Sequence, residues 1–145
     1  MTASIDTNVL LRLILDDVPA QQAVAEQLFG DMEYPVTLDD QAIIEAAFAL
    51  EHHYKAARVS CMTMLVAVMD LPTVIGDYHV IREAMEFWSI HPKLSLVDCY
   101  LACKAAAMRA TPLWTFDRKL ANQHPAAQLA TDSSTKSITR VDEQS

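Results

Sequence analysis

The chain has 145 residues, 52% of them hydrophobic and 21% charged, the size and composition of one globular domain, which excludes wholesale disorder. Its two glycines, Gly30 and Gly76, cannot write either glycine-rich phosphate cradle. A net charge of −8 argues against a broad basic groove for duplex DNA, and leaves open a nucleic acid met at a metal-filled pocket.

In chain order, Ala3-Ser4-Ile5 reads as a short buried strand, Asp6-Thr7-Asn8 as a polar corner capped by Thr7 or Asn8, and residues 9–15 as a buried helix interrupted only by Arg12. Pro19 opens a helix that reaches Gly30. A β-like piece lies within 34–38, and Asp39 or Asp40 caps a helix over 41–54, followed by another over 59–69. Residues 71–75 read as a strand closed by Gly76, with Asp77 capping a helix that runs to 89 and breaks at His91-Pro92. Ser95 opens a helix to about 109, residues 112–115 form a strand, and 128–130 a last one. Strands alternating with helices predict an α/β domain with a parallel sheet over residues 1–130. Residues 131–145 are polar and are expected to be a disordered tail.

The longest apolar stretch, residues 61–69, is far shorter than the ~20 residues of a membrane span. The opening carries Asp6 where a signal peptide is basic. The expectation is a cytoplasmic protein with no membrane association. Cys61, Cys99 and Cys103 lack CxxC spacing and read as core residues in a reducing compartment.

Four acids interrupt apolar surroundings: Asp6 after Ile5, Glu45 after Ile43-Ile44, Asp98 after Leu96-Val97, and Asp117 after Trp114-Thr115-Phe116. A partly buried carboxylate is costly unless paired or bound to a metal, and nearby cations do not cover all four. Asp6 and Asp117 follow predicted strands, where open α/β sheets hold their sites. Convergence of the four would require a divalent cation, and all-oxygen ligation favours Mg²⁺ or Mn²⁺. Each acid also has a purely structural reading. Ser95-Leu96-Val97-Asp98 can be a capping box, Glu45 can favour a helix's positive end, and Asp117 can cap the helix after it.

These segments, Ile5-Asp6-Thr7-Asn8-Val9-Leu10-Leu11-Arg12, Ile44-Glu45, Ser95-Leu96-Val97-Asp98-Cys99-Tyr100, and Trp114-Thr115-Phe116-Asp117-Arg118-Lys119-Leu120, resemble a PIN domain over about residues 3–130. Among PIN domains the chain is similar to VapC-type toxins of bacterial toxin–antitoxin pairs. The resemblance implies a three-layer α/β fold with a short, mostly parallel central sheet between helices. It implies an Mg²⁺-dependent endoribonuclease with metal-binding acids Asp6, Glu45, Asp98 and Asp117, supported by Asn8 and Thr115, acting on RNA, blocked by a cognate antitoxin and dimeric. Arg12, Arg118 and Lys119 are candidates for the RNA backbone. The chain departs from the family where relatives place a glycine after the Asp98 helix. Here Pro112 is expected to stop that helix in place of a left-handed glycine cap.

Other features read as ordinary structure. Adjacent His52 and His53 diverge by about 100° on a helix, His79 and Glu83 read as a surface pair, and Trp88 and Trp114 as core aromatics. Met62, Met64, Met69, Met85 and Met108 read as core filler. A phosphoacceptor receiver domain fits poorly, because no lysine closes a late strand. The serious rival is a non-catalytic PIN-like module that binds RNA or a partner protein.

Overall fold

The computed structural model describes residues 1–131; the tail expected over 131–145 falls, after Thr131, outside the described residues. In order the elements are β1 (Ala3–Ile5), α1 (Thr7–Ile14), α2 (Pro19–Gly30), β2 (Val36–Leu38), α3 (Asp40–His52), α4 (Arg58–Met69), α5 (His79–Ile90), α6 (Leu96–Ala107), β3 (Leu113–Thr115), α7 (Arg118–Gln123) and β4 (Ala127–Leu129). The strands form two parallel pairs. In one, Ala3 faces Val36 and Ile5 faces Leu38; in the other, Leu113 faces Ala127 and Thr115 faces Leu129. A three-residue strand has few ladder bonds, so the helices supply most of the core. Leu10, Ile43, Leu50, Leu65, Ile81, Met85, Trp88 and Cys99 are fully buried in one cluster.

The strand expected over 71–75 contracts to one parallel bridge between Val36 and Val74. The chain turns too early for a ladder: Val74 N–H donates to the Leu71 carbonyl at 3.0 Å, and Thr73 Oγ1 donates to the Phe29 carbonyl. Gly76 is required just beyond this turn, because a Cβ there would lie 2.5 Å from Cζ of Tyr78. That ring is held in place, since its hydroxyl donates to the carbonyls of Leu38 (3.2 Å) and Ile75 (3.3 Å) and accepts from Leu38 N–H (3.0 Å). Tyr78 thus locks the end of β2, where α3 begins. α5 starts at His79 behind Tyr78, which offers no side-chain cap, and Asp77 instead accepts from His79 N–H at 3.3 Å.

The end of α6 also differs from expectation. It stops at Ala107, and Arg109 takes the left-handed conformation (φ 56°). Ala110 N–H reaches the Ala105 carbonyl at 2.8 Å and Arg109 N–H the Ala106 carbonyl at 3.1 Å, the bond pair of a Schellman motif. A left-handed cap is therefore present with arginine where glycine is favoured, and Pro112 lies beyond it. α3 likewise ends at His52, short of the expected 54, ahead of Lys55 at φ 56°.

All three cysteines are free and buried, and burial pushes the thiols of Cys99 and Cys103 up to about 12 and about 11. Trp88 is core and Trp114 half-buried. Met69 and Met85 are buried, but Met108 is exposed at the end of α6. His79 pairs with Asp77 (2.8 Å) rather than Glu83. No helix among the described residues is long and apolar enough to cross a membrane.

Candidate metal and nuclease site

Asp6 leaves β1 in extended conformation and caps α1 itself, its Oδ1 accepting from Val9 N–H at 3.0 Å. Thr7 and Asn8, the cap candidates in the sequence, do not fill that role. Freed from capping, Thr7 Oγ1 donates to Glu45 Oε2 at 2.9 Å. Gln41, one turn earlier on α3, donates to Glu45 Oε1 at 3.3 Å. Both oxygens of Glu45 are therefore oriented, and the Asp6 turn is fastened to α3. Neither Thr7 nor Gln41 was among the residues picked from sequence. A local signal existed for Gln41, which stands four residues before Glu45 on one helix face, but none for Thr7, whose partner is 38 residues away.

Asp98 lies in the first turn of α6, where Ser95 Oγ accepts its backbone N–H at 3.2 Å. This is half of the expected capping box; the reciprocal bond is not formed among the described residues. The turn bearing Ser95 is held by Arg58. Its Nη1 donates to the carbonyls of Trp88 (3.0 Å), His91 (3.1 Å) and Leu94 (2.8 Å), its Nε donates to Glu51 on α3 at 2.5 Å, and its guanidinium lies 4.8 Å from the Trp88 ring centre. One buried-side arginine therefore ties the Glu45 helix to the turn that presents Asp98.

Asp117 leaves β3 and caps α7, its Oδ1 accepting from the N–H groups of Lys119 (2.9 Å) and Leu120 (3.2 Å). Thr115 supports it through the backbone, its Oγ1 accepting from Asp117 N–H at 3.0 Å. Asn8 is exposed beside Asp6 and makes no side-chain hydrogen bond among the described residues.

The four acids are less buried than their neighbours in sequence suggested. Asp98 is half-buried, while Asp6, Glu45 and Asp117 are exposed. Helical geometry explains the correction: Ile43, Ala46 and Ala47 turn inward and leave Glu45 facing out. None of the four forms a salt bridge among the described residues. Arg12, by contrast, is engaged by Asp17, with Nη1 2.6 Å from both carboxylate oxygens, an interaction that raises the arginine pKa and lowers that of Asp17. Arg118 and Lys119 are exposed.

Glu45 and Asp6 line different clefts. Glu45 lines one of about 700 Å³ with Asp39, Asp40, Asp77 and Tyr100; Asp6, Asn8 and Arg12 line one of about 490 Å³ between α1 and α2. Tyr100 donates to Asp40 at 2.6 Å, and burial followed by that carboxylate pushes its pKa up to about 12.

The donor chemistry fits a hard divalent cation: four carboxylates without cationic partners among the described residues, two of them at strand exits. No group of three or more His, Cys, Asp or Glu among the described residues is placed to hold a metal by itself. Mg²⁺ does not require one, because it keeps several waters and is commonly held by one or two carboxylates plus substrate phosphate.

Fold and site define a class, an α/β domain with carboxylates at the exits of short parallel strands and on helices packed alongside. The chain belongs to the PIN domain family, whose model matches residues 3–124, a span that contains all four acids. PIN domains are generally metal-dependent nucleases that bind RNA. Among curated proteins no relative matches this chain.

Proposed function

We propose that this chain is an Mg²⁺-dependent endoribonuclease of the VapC type, the toxin of a toxin–antitoxin pair, acting in the cytoplasm as a homodimer and inhibited by a cognate antitoxin protein. The observation that carries the nuclease reading is the Thr7–Glu45 bond, which joins the Asp6 strand exit to an oriented carboxylate on α3. The toxin assignment, the dimer and the antitoxin rest on the sequence resemblance.

In this reading Asp6 and Asp98 would hold the metal, directly or through water, and Glu45 and Asp117 would act through metal-bound waters rather than as a third and fourth direct ligand. Mg²⁺, or Mn²⁺, held there would supply positive charge and lower the pKa of a bound water. Glu45 or Asp117 accepts the proton from that water. Asn8 positions the Asp6 side of the site by hydrogen bonding, and Thr115 holds the Asp117 turn. Arg118 and Lys119 meet RNA phosphates; Arg12 joins them only by giving up Asp17, whose charge otherwise neutralises it.

The test is cleavage of a pool of cellular RNAs by the wild type and Asp98→Asn, each with Mg²⁺ and with EDTA. Cleavage that needs both Mg²⁺ and Asp98 is expected, and its fragments identify the target RNA. Induced expression in bacteria should arrest growth, and Asp98→Asn should relieve the arrest. The exposure of three of the four acids favours a second reading, a non-catalytic PIN-like module binding RNA or a partner protein. A folded wild-type chain that binds RNA without cleaving it selects that reading.

A further inference from the structure

Phe116 is 87% exposed, far more than the other phenylalanines. Its neighbours are fixed on both sides. Thr115 is pinned by the bond from Asp117 N–H to its Oγ1 and by Ala130 N–H donating to its carbonyl at 2.8 Å, and Asp117 is pinned by capping α7. The buried Leu120 anchors α7 beneath it. The backbone thus holds an aromatic ring out into solvent at the exit of β3, one residue before Asp117 and two and three residues before the exposed Arg118 and Lys119. Neither cation is in an ion pair among the described residues.

No packing among the described residues accounts for this ring. An exposed aromatic on a rigid turn loses little conformational freedom when covered, and a π-face beside cations suits an unpaired nucleobase on a phosphate backbone. The charge of the chain matters as well. A net charge of −8 disfavours holding RNA by many phosphate contacts, whereas stacking needs no extended basic surface.

We infer that Phe116 is a stacking platform for one base of single-stranded RNA beside the Asp117 end of the site, an inference that rests on the nuclease reading above. Phe116→Ala and Phe116→Leu are expected to weaken binding of a fluorescein-labelled 12-nucleotide single-stranded RNA, followed by anisotropy in EDTA, by roughly tenfold. Phe116→Tyr should bind as the wild type does, and all three should unfold at the wild-type temperature, because the side chain contributes nothing to the core. The same oligonucleotide made abasic should bind the wild type as weakly as intact RNA binds Phe116→Ala. A Phe116→Ala chain with wild-type affinity overturns the inference, and so does wild-type affinity in Phe116→Leu, which would make Phe116 an apolar anchor such as a protein partner would use. If the wild type still cleaves RNA with Mg²⁺ in those cases, the nuclease reading stands without the platform. A wild type that neither binds nor cleaves RNA overturns both.

Discussion

Thr7 and Glu45, 38 residues apart, are joined by a hydrogen bond of 2.9 Å from hydroxyl to carboxylate. It connects the exit of β1 to the outward face of α3, and it exists because Asp6 takes the capping role and leaves the Thr7 hydroxyl free. Groups that orient metal-binding carboxylates typically influence metal affinity or activity by 10- to 100-fold. Thr7→Val is therefore expected to lower RNA cleavage about tenfold and raise the Mg²⁺ concentration for half-maximal rate. Thr7→Ser should restore both, and denaturant unfolding should show a stability loss of about 1 kcal/mol or less.

Asp6 combines a capping role and a proposed metal role, and chemistry can separate them. Asparagine caps helices about as well as aspartate but is a poorer ligand for a hard cation. Asp6→Asn should keep stability within a few tenths of a kcal/mol while abolishing Mg²⁺-dependent cleavage. Wild-type cleavage by this variant would remove Asp6 from the site.

Arg58 satisfies three carbonyls at the α5–α6 turn and pairs with Glu51. Arg58→Met would remove a donor from all three carbonyls and from Glu51, although Trp88 keeps His91 N–H, His91 keeps Leu94 N–H and Glu51 keeps His52, and is expected to cost about 2 kcal/mol in urea unfolding. Arg58→Lys, which cannot reproduce the planar fork, should recover only part of that loss.

His124 is buried; its Nδ1 accepts from Ala126 N–H at 3.1 Å, its Nε2 lies 3.5 Å from Cys103 Sγ, and its ring packs 4.4 Å from that of Phe87. Burial, aided by His91 and opposed by Glu83, lowers its pKa below 6.5. As pH falls through 6.5 the unfolded chain takes up a proton that the folded chain refuses, so this residue makes stability fall with pH until the folded-state pKa is reached. His79, whose pKa Asp77 raises, acts in the opposite sense, so the comparison must be with a variant. His124→Asn, which keeps an acceptor for Ala126, should lose less stability than the wild type between pH 7 and pH 5, as read by thermal unfolding.

Local chemistry determined much of this protein before any tertiary contact. Pro19 at the start of α2, Asp39 at the cap of α3, Ser95 at the cap of α6 and the apolar periodicity of α3 and α5 each specify their elements within one or two turns of chain, which is why most of the α/β order could be read from the sequence. The four acids stand out in one dimension as charge among apolar residues, but that setting misleads about burial, since Asp6, Glu45 and Asp117 are exposed. Tertiary structure alone decided the rest. Whether Glu45 faces inward or outward depended on which side of α3 the core covered, and that Arg12 is occupied by Asp17 depended on the path of the chain between α1 and α2. The reduction of residues 71–75 to a bridge and the left-handed Arg109 reflect chain direction imposed by packing, which overrides local propensity where only one or two hydrogen bonds are at stake. The links through Thr7 and Arg58 span 30 to 40 residues, and no periodicity encodes a partner at that separation. Their geometry depends on how hydrophobic burial packs the helices against one another.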